Sequence, residues 1–110
     1  MPKQRVYILD TSANTDRLAG TDLENAPSPG VVDIWVASSL GTAIVTIVAG
    51  GENIVRAQSV PLRANGVPQM SDDPPTAQIL VTGGEKIVVN VGGTVGSYSV
   101  LAIFTPIDEL

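Results

Sequence analysis

Ile47-Val48-Ala49-Gly50-Gly51-Glu52-Asn53-Ile54-Val55 is repeated 33 positions later as Leu80-Val81-Thr82-Gly83-Gly84-Glu85-Lys86-Ile87-Val88. In each stretch an apolar run breaks at Gly-Gly, and a Glu opens a second run rich in Ile and Val. Gly-Gly supplies the positive φ values of a tight primed turn. Branched side chains favour strands on either side of it. The two stretches therefore predict hairpins, Thr42–Ala49 with Asn53–Leu62 and Ala77–Thr82 with Lys86–Val91. Two copies are too few for a solenoid, but they suit the corners of two facing sheets. A phosphate cradle is a poor reading of Gly-Gly here, because no helix signal follows either pair and the Lys-Ser/Thr ending is missing.

Working outward, Arg5–Asp10, Val31–Ser38 and Ser97–Thr105 read as further strands, the last stopped by Pro106. Eleven Gly and eight Pro are scattered along the 110 residues, which leaves little room for helices. Residues 10–30 and 63–76 read as long connections. Asp16–Glu24, inside the first, is expected to form one helical turn. Alternation assigns the faces. Val32, Ile34 and Val36 lie opposite Asp33 and Trp35; Ile87, Val89 and Val91 share a face; so do Tyr98, Val100, Ala102 and Phe104. Thr42–Ala49 and Val100–Phe104 are apolar on both faces, which predicts cover on both sides, from a loop or from another chain. The fold class expected is an all-β, antiparallel β-sandwich with two long loops. It forms one domain, residues 11–110, preceded by an N-terminal arm and first strand, residues 1–10.

Composition narrows the chemistry. The chain has no Cys and no His, which removes disulfides, thiol nucleophiles, imidazole bases and Cys/His zinc sites. Lys3 stands in the arm and Lys86 at a strand start, neither a setting for a catalytic lysine. Asp22, Glu24, Asp72-Asp73 and Asp108-Glu109 read as solvated turn charges. Asp33 sits in an apolar strand beside Trp35, where a charge discourages unwanted edge pairing. Asp10-x-Ser12-x-Asn14-x-Asp16 resembles the start of a calcium loop, yet Thr15 and Thr21 occupy the positions that need Gly and Glu. No cofactor, no metal and no enzymatic activity are expected. Net charge −5 with a pI near 4.3 speaks against nucleic acid as a partner. No run approaches the roughly 18 apolar residues of a membrane span. Only Val6–Leu9 follow the charged start, too few for a signal peptide, so synthesis in a cytoplasm is expected.

The chain resembles the capsid decoration, or cement, proteins of tailed bacteriophages. The features that carry the resemblance are its size, its lack of Cys and His, the V-x-G-G-E-x-I-V pattern in Val48–Val55 and Val81–Val88, and the closing strand Gly96–Phe104. The resemblance implies a jelly-roll-like sandwich on the outer surface of an icosahedral head, a homodimer or homotrimer bridging major capsid proteins. Candidate interaction residues are Lys3, Arg5, Val6 and Tyr7 in the arm, the single Trp35, and Ile107 in the apolar tail. The alternative is a carbohydrate- or peptide-binding β-sandwich module of a phage fibre or surface accessory, with Asp33, Trp35 and Tyr98 as its site.

Overall fold

The computed structural model describes residues 3–10, 16, 18–39, 43–60, 62–63, 75–93 and 97–109. They form seven strands: β1 Gln4–Asp10, β2 Gly30–Ser38, β3 Ala43–Ala49, β4 Glu52–Ser59, β5 Ala77–Val81, β6 Ile87–Gly93 and β7 Tyr98–Pro106. A 3-10 turn, Ile107–Glu109, follows. Two antiparallel sheets pack together, one in the order β1-β7-β2-β5 and the other β4-β3-β6. The molecule is the all-β sandwich that the periodicity called for.

The pairings nest. β1 pairs with β7, β2 with β5, and β3 with β4. Between the first two pairs, residues 24–26 run beside the start of β6. Ala26 N donates to Glu85 O (2.8 Å), Gly84 N to Ala26 O (2.7 Å) and Ile87 N to Glu24 O (2.8 Å). The chain is thus one long hairpin, closed at Gly50-Gly51, whose arms roll across each other to make two layers.

The inward faces make one core. Val32, Ile34 and Val36 of β2 meet Tyr98, Val100, Ala102 and Phe104 of β7, and the second sheet adds Val45, Ile47, Ile87, Val89 and Val91. Each such side chain stabilises the fold by roughly 1.5–3 kcal/mol through burial alone. Leu18 and Leu23, from the connection between β1 and β2, are also fully buried in this cluster.

Three expectations need correction. Gly83-Gly84 is not a hairpin turn: β5 belongs to the four-stranded sheet and β6 to the other, so the turn carries the chain between layers. Glu85 holds it in that shape, accepting from Thr82 N (2.9 Å) and Thr82 Oγ1 (3.0 Å). The helical turn at Asp16–Glu24 is replaced by successive tight turns, with Thr21 N and Oγ1 both donating to Leu18 O. Of the strands expected to be covered on both faces, only β7 is; on β3, Ile44 is exposed and Thr46 and Val48 are half-buried. Asp72-Asp73 and most of the Asp10–Asp16 run lie outside the described residues.

Candidate interaction surface

The outward face of the four-stranded sheet gathers most of the residues singled out by sequence. Register defines its rows. Arg5, Ile103, Asp33 and Gln78 lie side by side across β1, β7, β2 and β5. Tyr7, Leu101 and Trp35 form the next row, and Leu9, Ser99 and Ala37 the one beyond. Neighbours in a row are about 4.8 Å apart by strand spacing.

Burial on this face is uneven. Leu101 is 2% exposed and Trp35 9%, although neither belongs to the inter-sheet core. Tyr7 (44%) and Leu9 (56%) stand open to solvent at the β1 edge, and Leu80 (75%) at the opposite corner, in the row Thr105-Val31-Leu80 beyond Asp33. Adjacent exposed apolar side chains such as Tyr7 and Leu9 mark a contact surface more than one standing singly does. One polar group interrupts the face. Asp33 Oδ1 is buried and has no hydrogen bond, an arrangement that costs about 1–3 kcal/mol in a folded protein.

The candidate residues divide. Lys3 and Arg5 are exposed on the β1 side of this face and Tyr7 lies between β1's ends. Val6 points the other way and packs against the core with Ile8. The first strand expected at Arg5–Asp10 is β1, which pairs with β7 from Gln4 to Asp10. Ile107 is exposed on the 3-10 turn, whose N–H donates to Pro29 O at 3.0 Å. Tyr98 is fully buried on the opposite face of the sheet from Trp35 and Asp33, so the three do not form one site. Leu9, Leu80 and Leu101 were not singled out by sequence. The double apolar alternation of β7 was a signal for Leu101 alone, and putting the three on one face needs the strand order.

Away from this face, Lys86 and Glu85 each have a defined partner. Lys86 Nζ lies 3.7 Å from Asp16 Oδ2 at the surface, a pair worth no more than about 1 kcal/mol. The hydrogen bonds from Thr82 hold the Glu85 carboxyl below its ordinary range. Among the described residues no three His, Cys, Asp or Glu side chains converge as metal ligands. No described helix is long and apolar enough to cross a membrane. What the face can do chemically is exclude water against another apolar surface, chiefly through Tyr7 and Leu9. Comparison with known families, with curated proteins and with solved structures returns no match in any of the three.

Proposed function

We propose that the chain is a virion structural protein, a decoration protein that binds the outside of an icosahedral phage head and bridges its major capsid proteins. The outward face of the four-stranded sheet is its docking surface. The observation that carries this reading is the exposed pair Tyr7 and Leu9 on the outward face of β1, with Leu80 exposed at the far corner of the same face, which the sandwich core does not use. The nested strand pairing supports it as well. A jelly roll is a long hairpin of eight strands rolled into two sheets, the architecture of many viral capsid domains. The hydrogen bonds of residues 24–26 to the start of β6 support the comparison, standing where an eighth strand would. Cementing a shell requires no bond chemistry. It requires a modest contact repeated by symmetry, so that linked sites reinforce one another.

The test is co-sedimentation of the purified chain with shells of the major capsid protein produced beside it. Wild-type protein is expected to pellet with the shells, and Leu9→Asp with Leu80→Asp to stay in the supernatant while folded by circular dichroism. Wild-type protein that leaves the shells bare overturns the proposal. A sugar-binding reading draws on the orphan Asp33 oxygen, which a hydroxyl would satisfy. It is opposed by Trp35, which offers no open stacking face at 9% exposure. Titration of Trp35 fluorescence with glycans separates the two.

A further inference from the structure

A sandwich of two open sheets has four edge strands, and open edges invite pairing unless they are blocked. Three of the four here are blocked. β5 is only five residues long. β4 is bent by Ala57 at φ 46° and by register shifts against β3, with Ala57 N diverted to Thr46 Oγ1 at 3.0 Å. The start of β6 is hydrogen-bonded by residues 24–26. β1 differs. It runs seven residues without Gly, Pro or bulge, in unbroken register with β7, and among the described residues nothing pairs with its other side.

We propose that two copies of the chain join edge to edge along β1, antiparallel, about a two-fold axis that passes midway between the two Tyr7 residues at right angles to the sheet. The result is one continuous eight-stranded sheet. The sequence of β1 fixes the register. A two-fold axis normal to the sheet keeps the faces matched, so residues of like parity oppose each other. Centring on Tyr7 pairs all seven residues; centring on Val6 or Ile8 leaves two of them unpaired. On the inward face Val6 then opposes Ile8 of the second copy, closing the half-buried flank of each core. Gln4, whose buried Oε1 has no hydrogen bond within the chain, is brought against the second copy opposite Asp10. On the outward face the two Tyr7 rings meet. Arg5 lies diagonal to Tyr7 of the second copy, at about the 7–8 Å separation from which a long side chain reaches a ring.

The dimer does not depend on the docking reading, but it extends it. Both outward faces end on one side of the joined sheet, doubling the apolar platform presented to a partner.

The absence of cysteine from the chain makes the register directly readable. Directly opposed residues of an antiparallel pair have Cα atoms about 4.5–5.5 Å apart, within disulfide range. Tyr7→Cys is expected to convert mostly to a disulfide dimer under mild oxidation. Arg5→Cys alone and Leu9→Cys alone are expected to remain monomers on a non-reducing gel, and their equimolar mixture to cross-link. Wild-type protein is expected to sediment at twice the monomer mass at high micromolar concentration. Tyr7→Glu and Tyr7→Lys are each expected to sediment as monomers, because like charges then sit opposite each other, and a mixture of the two to recover the dimer. Tyr7 lies on the solvent side of β1, so these variants retain the core. Monomeric wild-type protein, or Arg5→Cys and Leu9→Cys each cross-linking as readily as Tyr7→Cys, overturns the proposal. A monomer that still pellets with shells removes the dimer and leaves the docking reading intact.

Discussion

Gly30 and Gly92 are both strand glycines without positive φ, yet they should respond oppositely to the same substitution. A residue with a Cβ is ordinarily favoured over Gly within a strand by about 0.5–1 kcal/mol, because Gly loses more freedom on folding. At Gly92 an added Cβ meets only Ile44 Cγ1, at 3.9 Å, an ordinary contact. Gly92→Ala should therefore stabilise by about 0.5–1 kcal/mol. At Gly30 the same atom would drive into the carbonyl oxygen of Thr105 and lie 2.9 Å from Phe104 Cε1 and 3.0 Å from Pro106 Cα. Two of those three atoms are backbone of β7, at the residues that pair with Gly30 and Val31, so they yield less readily than the tip of a side chain would. Overpacking of this kind costs about 1–3 kcal/mol and outweighs the gain in chain entropy. The net expectation for Gly30→Ala is a loss of about 1–2 kcal/mol. For a domain of this size that lowers the melting temperature by roughly 5–15 °C, and Gly92→Ala raises it by a few degrees. Urea unfolding at neutral pH should move the two midpoints in opposite directions with unchanged slopes. A Gly30→Ala variant as stable as wild type, or two shifts of the same sign, would refute the account of β2 against β7.

Leu18→Ala should cost about 2–5 kcal/mol by urea unfolding, as much as a strand residue, because Leu18 is fully buried although it lies in a connection. Asp33→Val should raise stability by about 1 kcal/mol, since it removes the orphan buried oxygen from a strand that favours branched residues; thermal melting reads this. Glu85 is held below its ordinary value of 4.5 chiefly by the backbone hydrogen bond from Thr82. A lowered folded pKa adds stability that is whole above the unfolded value and is lost as pH falls through the folded one. The melting temperatures of wild type and Glu85→Gln should accordingly differ at pH 7 and converge at pH 3 (about the lower end of carboxylate titration).

Strand positions and faces were legible because the period-two pattern is strong where one face is buried. Val32, Ile34 and Val36, and Tyr98 through Phe104, needed nothing beyond alternation. Gly50-Gly51 and Gly83-Gly84 show where that legibility stops. Both pairs have positive φ, and both have the local chemistry of a tight turn. One closes a hairpin and the other crosses between sheets, because the partner of β5 is β2, far away in sequence. Leu18 and Leu23 were invisible as core for a related reason. Their surroundings are polar turns, and only the roll of the chain carries them under the sheets. The docking patch was half legible. Trp35 and Tyr7 stand out as aromatics, whereas the order β1-β7-β2-β5 was needed to put Tyr7, Leu101 and Trp35 in one row and Leu80 on the same face, two rows away.

The roll also dictates where the unfinished edges fall. Folding a chain as one long hairpin pairs its first strand with its last, and the last strand then takes a second neighbour in β2. β7 is enclosed, and β1 is left outermost. At the other end of the hairpin β4 is outermost in the second sheet, and there a bulge and the exposed charges Glu52 and Arg56 spoil the edge. β1 is treated only at its ends: Gln4 and Asp10 stand there on the inward face and Arg5 on the outward one, whereas Val6, Tyr7, Ile8 and Leu9 between them make the strand apolar on both faces. Proteins that keep an edge solvated place inward charges, Pro or bulges on it, and none falls within that central run. Burying apolar area lowers the free energy by about 25 cal/mol per Å², so the run is more stable paired than hydrated. A second copy of the chain, joined about Tyr7, places it in the interior.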